Sequence, residues 1–308
     1  MIRLTSLDPV PETLRGAVLA LGNFDGVHLG HQAVIGKAVE LGRQQARPVI
    51  VATFDPHPVR FFKPDVKAFR LTTLDQRESL FEALGADAMM VFEFGAKLAG
   101  TTADEFVTGL LGRDLGISAV ITGSDFTFGK GKQGDVALLK SLGREVGIEA
   151  HDVAPIEEGG EVISSSRIRD ALWSGDPQEA ARLLTRPFAI RGMVQHGDKV
   201  GRSIGYPTAN IDLGTYIRPK YGIYAVTGLL PDGRVLNGAA NLGIRPTFDP
   251  PKELLEPYFF DFSEDLYGQE IEVAFHHFIR PEAKFDGLDA LVAQMEKDCD
   301  EARRLLGA

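Results

Sequence analysis

The stretch AVLALGNFDGVHLGHQAVIGKAVELGRQQ, Ala17 to Gln45, decides the fold. It opens on an unbroken apolar run, Ala17–Leu21, and stops at Gly22. After His31 the pattern changes: Val34, Ile35, Ala38 and Leu41 recur on one helical face. A short continuous apolar run suits a strand covered on both faces, and the later spacing suits an amphipathic helix. Between them lies a glycine-rich corner, Gly22–His31. The alternation repeats downstream. Strands are expected at Pro48–Phe54, Ala86–Phe92, Ile117–Thr122 and Glu149–Val153. The stretches TLDQRESLFEALG, TADEFVTGLLGRDLG and GDVALLKSLGREVG between them read as helices. Strands alternating with helices build βαβ units, so the first part is an α/β domain with a doubly wound parallel sheet. Ligands of such sheets sit beyond the carboxyl ends of the strands, where strand order reverses. The corner after Leu21 is at such an end.

The character changes after Leu184. RPFAIRGMVQHGD opens a region of short strands: Gly222–Leu230, Arg234–Ala239, Tyr258–Phe262 and Ile271–Ile279, with a Pro-Asp-Gly turn at 231–233. Ile271, Val273 and Phe275 alternate with Glu272, Ala274 and His276, the period of a half-buried strand. A last helix is expected over Leu288–Leu306. Such a pattern predicts a small antiparallel β-barrel with a terminal helix. The expected domains are 1–184 and 185–308.

The 308 residues carry a net charge of −10, with 44% hydrophobic and 25% charged residues, as in a water-soluble globular protein. That charge argues against nucleic acid and membrane surfaces as partners, since both need basic surface. The first sixteen residues have no apolar core of signal-peptide type, and no apolar run approaches spanning length. Cys299 is the single cysteine, which excludes a disulfide framework and points to a cytoplasmic location. Four residues after Met295 in the terminal helix, it reads as packing rather than as a nucleophile.

Two segments have the chemistry of anion binding. In the corner, Gly22 and Gly30 let backbone approach a ligand, and the following helix start offers unpaired N–H groups and partial positive charge. His28 and His31 can point to one side of that start and donate hydrogen bonds to charge developing on a phosphoryl group. Two surface histidines in a loop, or a zinc site, are the competing readings. The zinc reading lacks a third ligand at suggestive spacing. In ISSSRIR, Ile163–Arg169, Ser164 or Ser165 suits a helix N-cap, and Arg167 and Arg169 add positive charge to its N–H groups.

A third segment, GDKVGRSIGYPTANI, Gly197–Ile211, combines a glycine loop with Thr208 and Asn210. Its Gly201-Arg202-Ser203-Ile204-Gly205 fits the nucleophile-elbow pattern, but Pro207 and an extended reading leave no helix after the serine. The loop can instead fold over phosphates. Thr208 and Asn210, alternating on an extended chain, offer hard oxygen ligands suited to magnesium. Glu256, expected just ahead of a strand, reads either as a base for a hydroxyl nucleophile or as a solvated carboxylate.

Together these segments resemble the prokaryotic bifunctional FAD synthetases, which join a riboflavin kinase to an FMN adenylyltransferase. GNFDGVHLGH, TFDPHP (Thr53–Pro58), GSDFTFGKGKQGD (Gly123–Asp135) and ISSSRIR follow the order of the nucleotidylyltransferase module. GRSIGYPTANI and the segments after it follow the riboflavin kinase module to the last helix. The resemblance implies a Rossmann-like nucleotidylyltransferase fold in the first domain. It implies two ATP-dependent reactions with magnesium: riboflavin to FMN, then FMN to FAD with release of pyrophosphate. It assigns transition-state stabilisation to His28 and His31, and the nucleotide corner to Gly22, Asn23, Phe24, Asp25 and Gly30. Ser165, Ser166 and Arg169 are to hold the leaving phosphates; the family usually has threonine at the position of Ser166. In the kinase, Gly197, Gly201 and Arg202 belong to the phosphate loop, Thr208 and Asn210 to the metal, and Glu256 is the base. Many members have Glu-Thr-His where this chain has Glu256-Pro257-Tyr258.

The flavin needs a flat apolar slot, for which Phe62 and Phe128 are candidates, with Phe54 read as core. Asp125 reads equally as a ligand of flavin hydroxyls or as a turn cap. Competing functions are a single working module, a nucleotidylyltransferase for another phosphate ester, or a flavin-binding protein without turnover. The set His28, His31, Thr208, Asn210 and Glu256 argues for turnover. The partners are small molecules (riboflavin, FMN and ATP), and a homo-oligomer stays open.

Overall fold

The computed structural model describes residues 1–6, 8–196, 206–245 and 252–307. The chain divides into two compact units: a sheet unit, Met1–Val66 with Leu74–Ile163, and a barrel unit, Lys67–Thr73 with Ser164–Ala308.

The sheet unit holds six parallel strands: β1 (Ile2–Thr5), β2 (Val18–Leu21), β3 (Val49–Asp55), β4 (Ala88–Glu93), β5 (Ala119–Gly123) and β6 (Glu149–Val153). Their order is β1-β4-β3-β2-β5-β6. β2 is central and buried along its whole length, which explains its unbroken apolar run. Its residues alternate between two cores. Leu19 and Leu21, with Ile50, Met90 and Val120, meet Phe106, Leu111 and Leu139 on one face. Val18 and Ala20, with Val51, Met89 and Ile121, meet Val34, Ile35 and Ala38 of α1 (Leu29–Gln45) and Phe81 on the other. Phe81 belongs to α3 (Leu74–Ala83), which follows the short α2 (Pro58–Phe62). α4 (Ala96–Gly100), α5 (Val136–Glu145) and a small β7–β8 ribbon (Glu157–Glu158, Glu161–Val162) complete the unit.

Two departures from the sequence reading have physical causes. β1 was not expected: it is a four-residue edge strand with only Leu4 buried, so no periodic signal marks it. TADEFVTGLLGRDLG is a π-helix over Glu105–Asp114, ending in an i→i+5 bond from Leu115 N to Leu110 O. Helical periodicity detects the apolar stripe but not the widened turn. Sheet growth reverses at β2, whose neighbours are β3 and β5. The corner after β2 and the loop after β5 therefore flank the switch point of the sheet.

The barrel unit begins with α6 (Ser165–Ser174), capped by Ser164, and α7 (Pro177–Leu184), capped by Asp176. Six strands then close an antiparallel barrel in the order β10-β13-β12-β11-β14-β9. They are β9 (Phe188–Gln195), β10 (Asn210–Asp212), β11 (Gly222–Leu229), β12 (Val235–Arg245), β13 (Lys252–Phe259) and β14 (Glu270–Arg280). Phe188, Ile190, Tyr224, Val226, Leu242, Leu255, Val273 and Phe275 are buried. β12 runs on to Arg245, past the expected end at Ala239. β13 starts earlier than expected and ends before Asp261, whose left-handed φ of 54° turns the chain. The terminal helix α8 (Leu288–Leu306) has the expected bounds. Ala302 packs with Ala225, Ala239 and Phe260, and Asp298 takes both ends of the Arg280 guanidinium at 2.6 and 2.8 Å. The segment Lys67–Thr73 joins this unit through backbone pairing. Arg70 N donates to Thr215 O at 3.2 Å, and Ile217 N donates to Arg70 O at 2.9 Å.

Candidate active sites

In the sheet unit the corner is built from β2 outward. The chain leaves Leu21 and makes a tight left-handed turn, with positive φ at Phe24, Gly26 and Val27. That turn ends at His28, the extended N-cap of α1. His28 Nδ1 accepts a long hydrogen bond, 3.4 Å, from His31 N. This leaves Nε2 as the protonated nitrogen of a neutral His28 ring, a tautomer assigned from the network. The two imidazoles stack with centroids 3.6 Å apart and planes 21° from parallel. Phe24 lies beneath them, edge-on to His31 at 5.2 Å and to Phe81 at 5.8 Å. Gly30 keeps this arrangement possible: a Cβ there would stand 3.2 Å from His28 Cε1.

Phe24 and Asp25 are buried at 1% and 2% exposure. Phe24 supports the histidine pair from below. Asn23 O accepts from Thr53 Oγ1 at 2.7 Å and from Arg77 Nη1 at 3.2 Å, and Arg77 Nη1 also reaches Thr53 Oγ1 at 2.7 Å. Sequence reasoning missed Arg77 and Thr53. The available signal was spacing: Leu74, Arg77 and Phe81 fall on one face of α3, so a 2%-exposed arginine sits in an apolar stripe.

The aromatic candidates separate. Phe62 stands 65% exposed on α2. Phe128 is buried in the core, 5.4 Å from Phe106 and stacked on Phe126 at 5.8 Å. Phe54 is core, as read. Asp125 is exposed in the loop after β5, close to Gly123.

The residues of ISSSRIR from Ser164 onward fold with the barrel unit. Ser164 Oγ caps Arg167 N at 3.2 Å; Ser165 is half-buried and Ser166 exposed. Arg167 is paired with Glu179 at 2.7 Å. Arg169 Nε donates to Phe69 O at 2.8 Å, and its guanidinium lies 5.1 Å from the Phe69 ring centre.

In the barrel unit a cavity of about 930 Å³ is lined by Thr208, Asn210, Asn241 and Glu256, with aromatic walls from Tyr206 and Tyr258. Thr208 and Asn210 flank buried Ala209, whose N–H donates to Pro257 O at 3.0 Å. Glu256 lies inside β13 rather than ahead of it, directly opposite Asn241 of β12. Pro257 is tolerated mid-strand because its missing donor falls on the Ala209 side, where the β10–β13 pairing covers only residues 211–212 and 254–255. Thr208, Asn210, Asn241 and Glu256 offer hydroxyl, amide and carboxylate oxygens to this cavity, a hard set that fits magnesium. Among the described residues no cluster of three His, Cys, Asp or Glu side chains forms a metal cage. Gly197, Gly201 and Arg202 lie outside the described residues. Cys299 of α8 also lines the cavity, and burial pushes its thiol up to about 11.

The FAD synthetase family pattern matches residues 10–167, and the riboflavin kinase pattern matches residues 184–306. A bifunctional riboflavin kinase/FMN adenylyltransferase of Escherichia coli K12 is 40% identical over 292 residues, 95% of this chain and 93% of the relative. The protein of that name from Bacillus subtilis 168 is 38% identical over 301 residues, 96% and 94% of the two chains. A crystal structure from Streptococcus pneumoniae that bears the name macrolide-efflux protein superimposes with a TM-score of 0.88 at 32% identity, covering 99% of both chains. No described helix of the present chain is long and apolar enough to cross a membrane. Both family patterns, in this order along one chain, together with relatives matched over nearly their whole length, show that the chain belongs to the family of bifunctional riboflavin kinase/FMN adenylyltransferases.

Proposed function

We propose the following division of labour among the residues of this enzyme. The chain phosphorylates riboflavin to FMN in its C-terminal half and adenylylates FMN to FAD in its N-terminal half, using ATP in both steps. The boundary between the two modules is placed at 184/185, supported by the start of the riboflavin kinase match at 184, while the compact unit that holds the barrel already begins at Ser164.

In adenylylation, an oxygen of the FMN phosphate attacks the α-phosphorus of ATP and pyrophosphate leaves. His28 and His31 donate hydrogen bonds to the phosphoryl oxygens as charge develops on them. The α1 N-terminus adds its partial positive charge. Gly22, Asn23, Phe24, Asp25 and Gly30 shape the corner that admits the nucleotide. Ser165, Ser166 and Arg169 hold the leaving phosphates, and Phe62, Phe128 and Asp125 receive the flavin. The observation that carries this reading is the stacked histidine pair on a helix start at the sheet's switch point.

In phosphorylation, Glu256 takes the proton of the terminal ribityl hydroxyl while that oxygen attacks the γ-phosphorus. Thr208 and Asn210 would hold magnesium, and Gly197, Gly201 and Arg202 would close over the phosphates. When bound, the metal supplies charge for the phosphates of ATP. The gathering of Thr208, Asn210 and Glu256 around one cavity supports these roles. A cytoplasmic location fits an ATP-using enzyme with a single, unpaired cysteine.

The test is a time course. The protein is incubated with riboflavin, ATP and magnesium, and the flavins are separated chromatographically. FMN appearing first and FAD following is the expected result. FMN alone, with no FAD even from supplied FMN, would overturn the histidine reading.

A further inference from the structure

Asn241 and Glu256 face each other across the β12–β13 ladder, and Asn241 Nδ2 donates to Glu256 Oε2 at 3.4 Å. Both line the cavity that holds Thr208 and Asn210. The other end of the amide is unusual. Asn241 Oδ1 is buried and has no hydrogen-bond partner among the described residues. An unsatisfied buried carbonyl oxygen destabilises a fold, and each such group calls for an explanation. Its neighbours along the strand, Ala240 and Leu242, are apolar and buried, so packing alone does not require an amide here.

We propose that Asn241 is a positioning residue of phosphoryl transfer, holding Glu256 in both of its protonation states. The inference rests on the reading of Glu256 as the base. In the step, the O–H bond of the ribityl hydroxyl breaks and its proton passes to a Glu256 oxygen. The hydroxyl oxygen bonds to the γ-phosphorus, the bond from that phosphorus to the β–γ bridging oxygen breaks, and ADP leaves with that oxygen. Before the step Glu256 is a carboxylate that only accepts; afterwards it is a carboxyl group with a proton to donate. An amide is a neutral side chain that answers both. Its NH2 donates to the carboxylate, and a half-turn about χ2 presents Oδ1 to the carboxyl proton. The half-turn exchanges the Nδ2 contact to Glu256 Oε2 and breaks no bond to Oδ1 from a described residue. The group that looks like a packing fault is the acceptor needed after proton transfer.

The test compares Asn241→Ala with Asn241→Ser, near-equal in size but different in donor and acceptor capacity. In Asn241→Ala, kcat for FMN formation is expected to fall about 10- to 100-fold, the effect of losing one hydrogen bond to a charged group. KM for riboflavin and for ATP should stay within about threefold. Asn241→Ser, whose hydroxyl both donates and accepts, should recover most of kcat. Thermal melting of both variants, and adenylylation of supplied FMN, report on folding. A kcat equal to wild type in Asn241→Ala, or equal losses in Ala and Ser variants with unchanged melting, would overturn the proposal. Glu256→Gln separates the two readings. If it makes FMN at the wild-type rate, the base assignment fails and this proposal with it. If it is inactive while Asn241→Ala keeps full kcat, only the role of Asn241 fails.

Discussion

The rings of His28 and His31 lie face to face, 3.6 Å between centroids, because His28 caps α1 and His31 stands one turn into the helix. The cap hydrogen bond occupies His28 Nδ1, so the chemistry falls to Nε2. Replacing His28 by alanine should lower FAD formation from FMN by about 10²–10³-fold, the effect of deleting one preorganised donor. FMN formation from riboflavin should continue. Equal loss of both reactions in a flavin chromatogram would contradict the separation of sites.

Arg77 anchors the same corner from below. Removing its guanidinium in Arg77→Met leaves Thr53 Oγ1 and Asn23 O short of a buried donor. The expected result is a loss of about 1.5–3 kcal/mol in stability, the usual range for hydrogen bonds to a charged group. KM for the adenylylation substrates should rise, since the turn that begins at Asn23 loses its anchor. Denaturant unfolding and initial rates check the two effects separately.

Two glycines of α1 should respond in opposite ways. A Cβ at Gly42 would stand 2.5 Å from Val49 Cγ2 and 3.0 Å from Arg47 O, while Gly36 has nothing within 4 Å. Gly42→Ala should destabilise by about 1–3 kcal/mol through overpacking. Gly36→Ala should stabilise by roughly 0.5–1 kcal/mol through helix propensity. Melting temperatures moving apart is the readout.

Thr208→Ala and Asn210→Ala should stop riboflavin at the first step while supplied FMN is still adenylylated. FMN accumulating from riboflavin at the wild-type rate would remove both residues from the metal site.

The Cys299 thiol, raised by burial from 9.0 to about 11, resists ionisation in the folded protein. Its thiolate fraction at pH 8 should be about 100-fold below that of an ordinary thiol, so alkylation of the native enzyme should be slow and become rapid on unfolding. The sign for stability follows. The unfolded chain loses this proton first, so the contribution is intact below pH 9 and is lost as pH rises toward 11. Alkylation rates against pH, with and without denaturant, test the shift.

Much of the architecture was legible because buried strands and amphipathic stripes write their periods into the chain. β6 and α8 have the bounds their patterns predict, and Asp176 caps α7 as its Asp-Pro start implies. What stayed hidden was set by partners distant in sequence. β1 draws its identity from pairing with β4, not from its own pattern. Arg77 reads as a solvated helix charge until Thr53 and Asn23 O are placed beside it. Asn241 carries no motif of its own and gains meaning only from standing opposite Glu256 across the ladder.

The segment Lys67–Thr73 folds with the barrel although the chain before and after it folds with the sheet. Its Arg70 pairs with Tyr216, which leaves the ribosome roughly 150 residues later, a wait of about 7–30 s at ordinary synthesis rates. That segment cannot take up its finished pairing until Tyr216 has been made, after every strand of the sheet. A gene carrying only the second half would encode a barrel unit missing Lys67–Thr73, one of its own pieces.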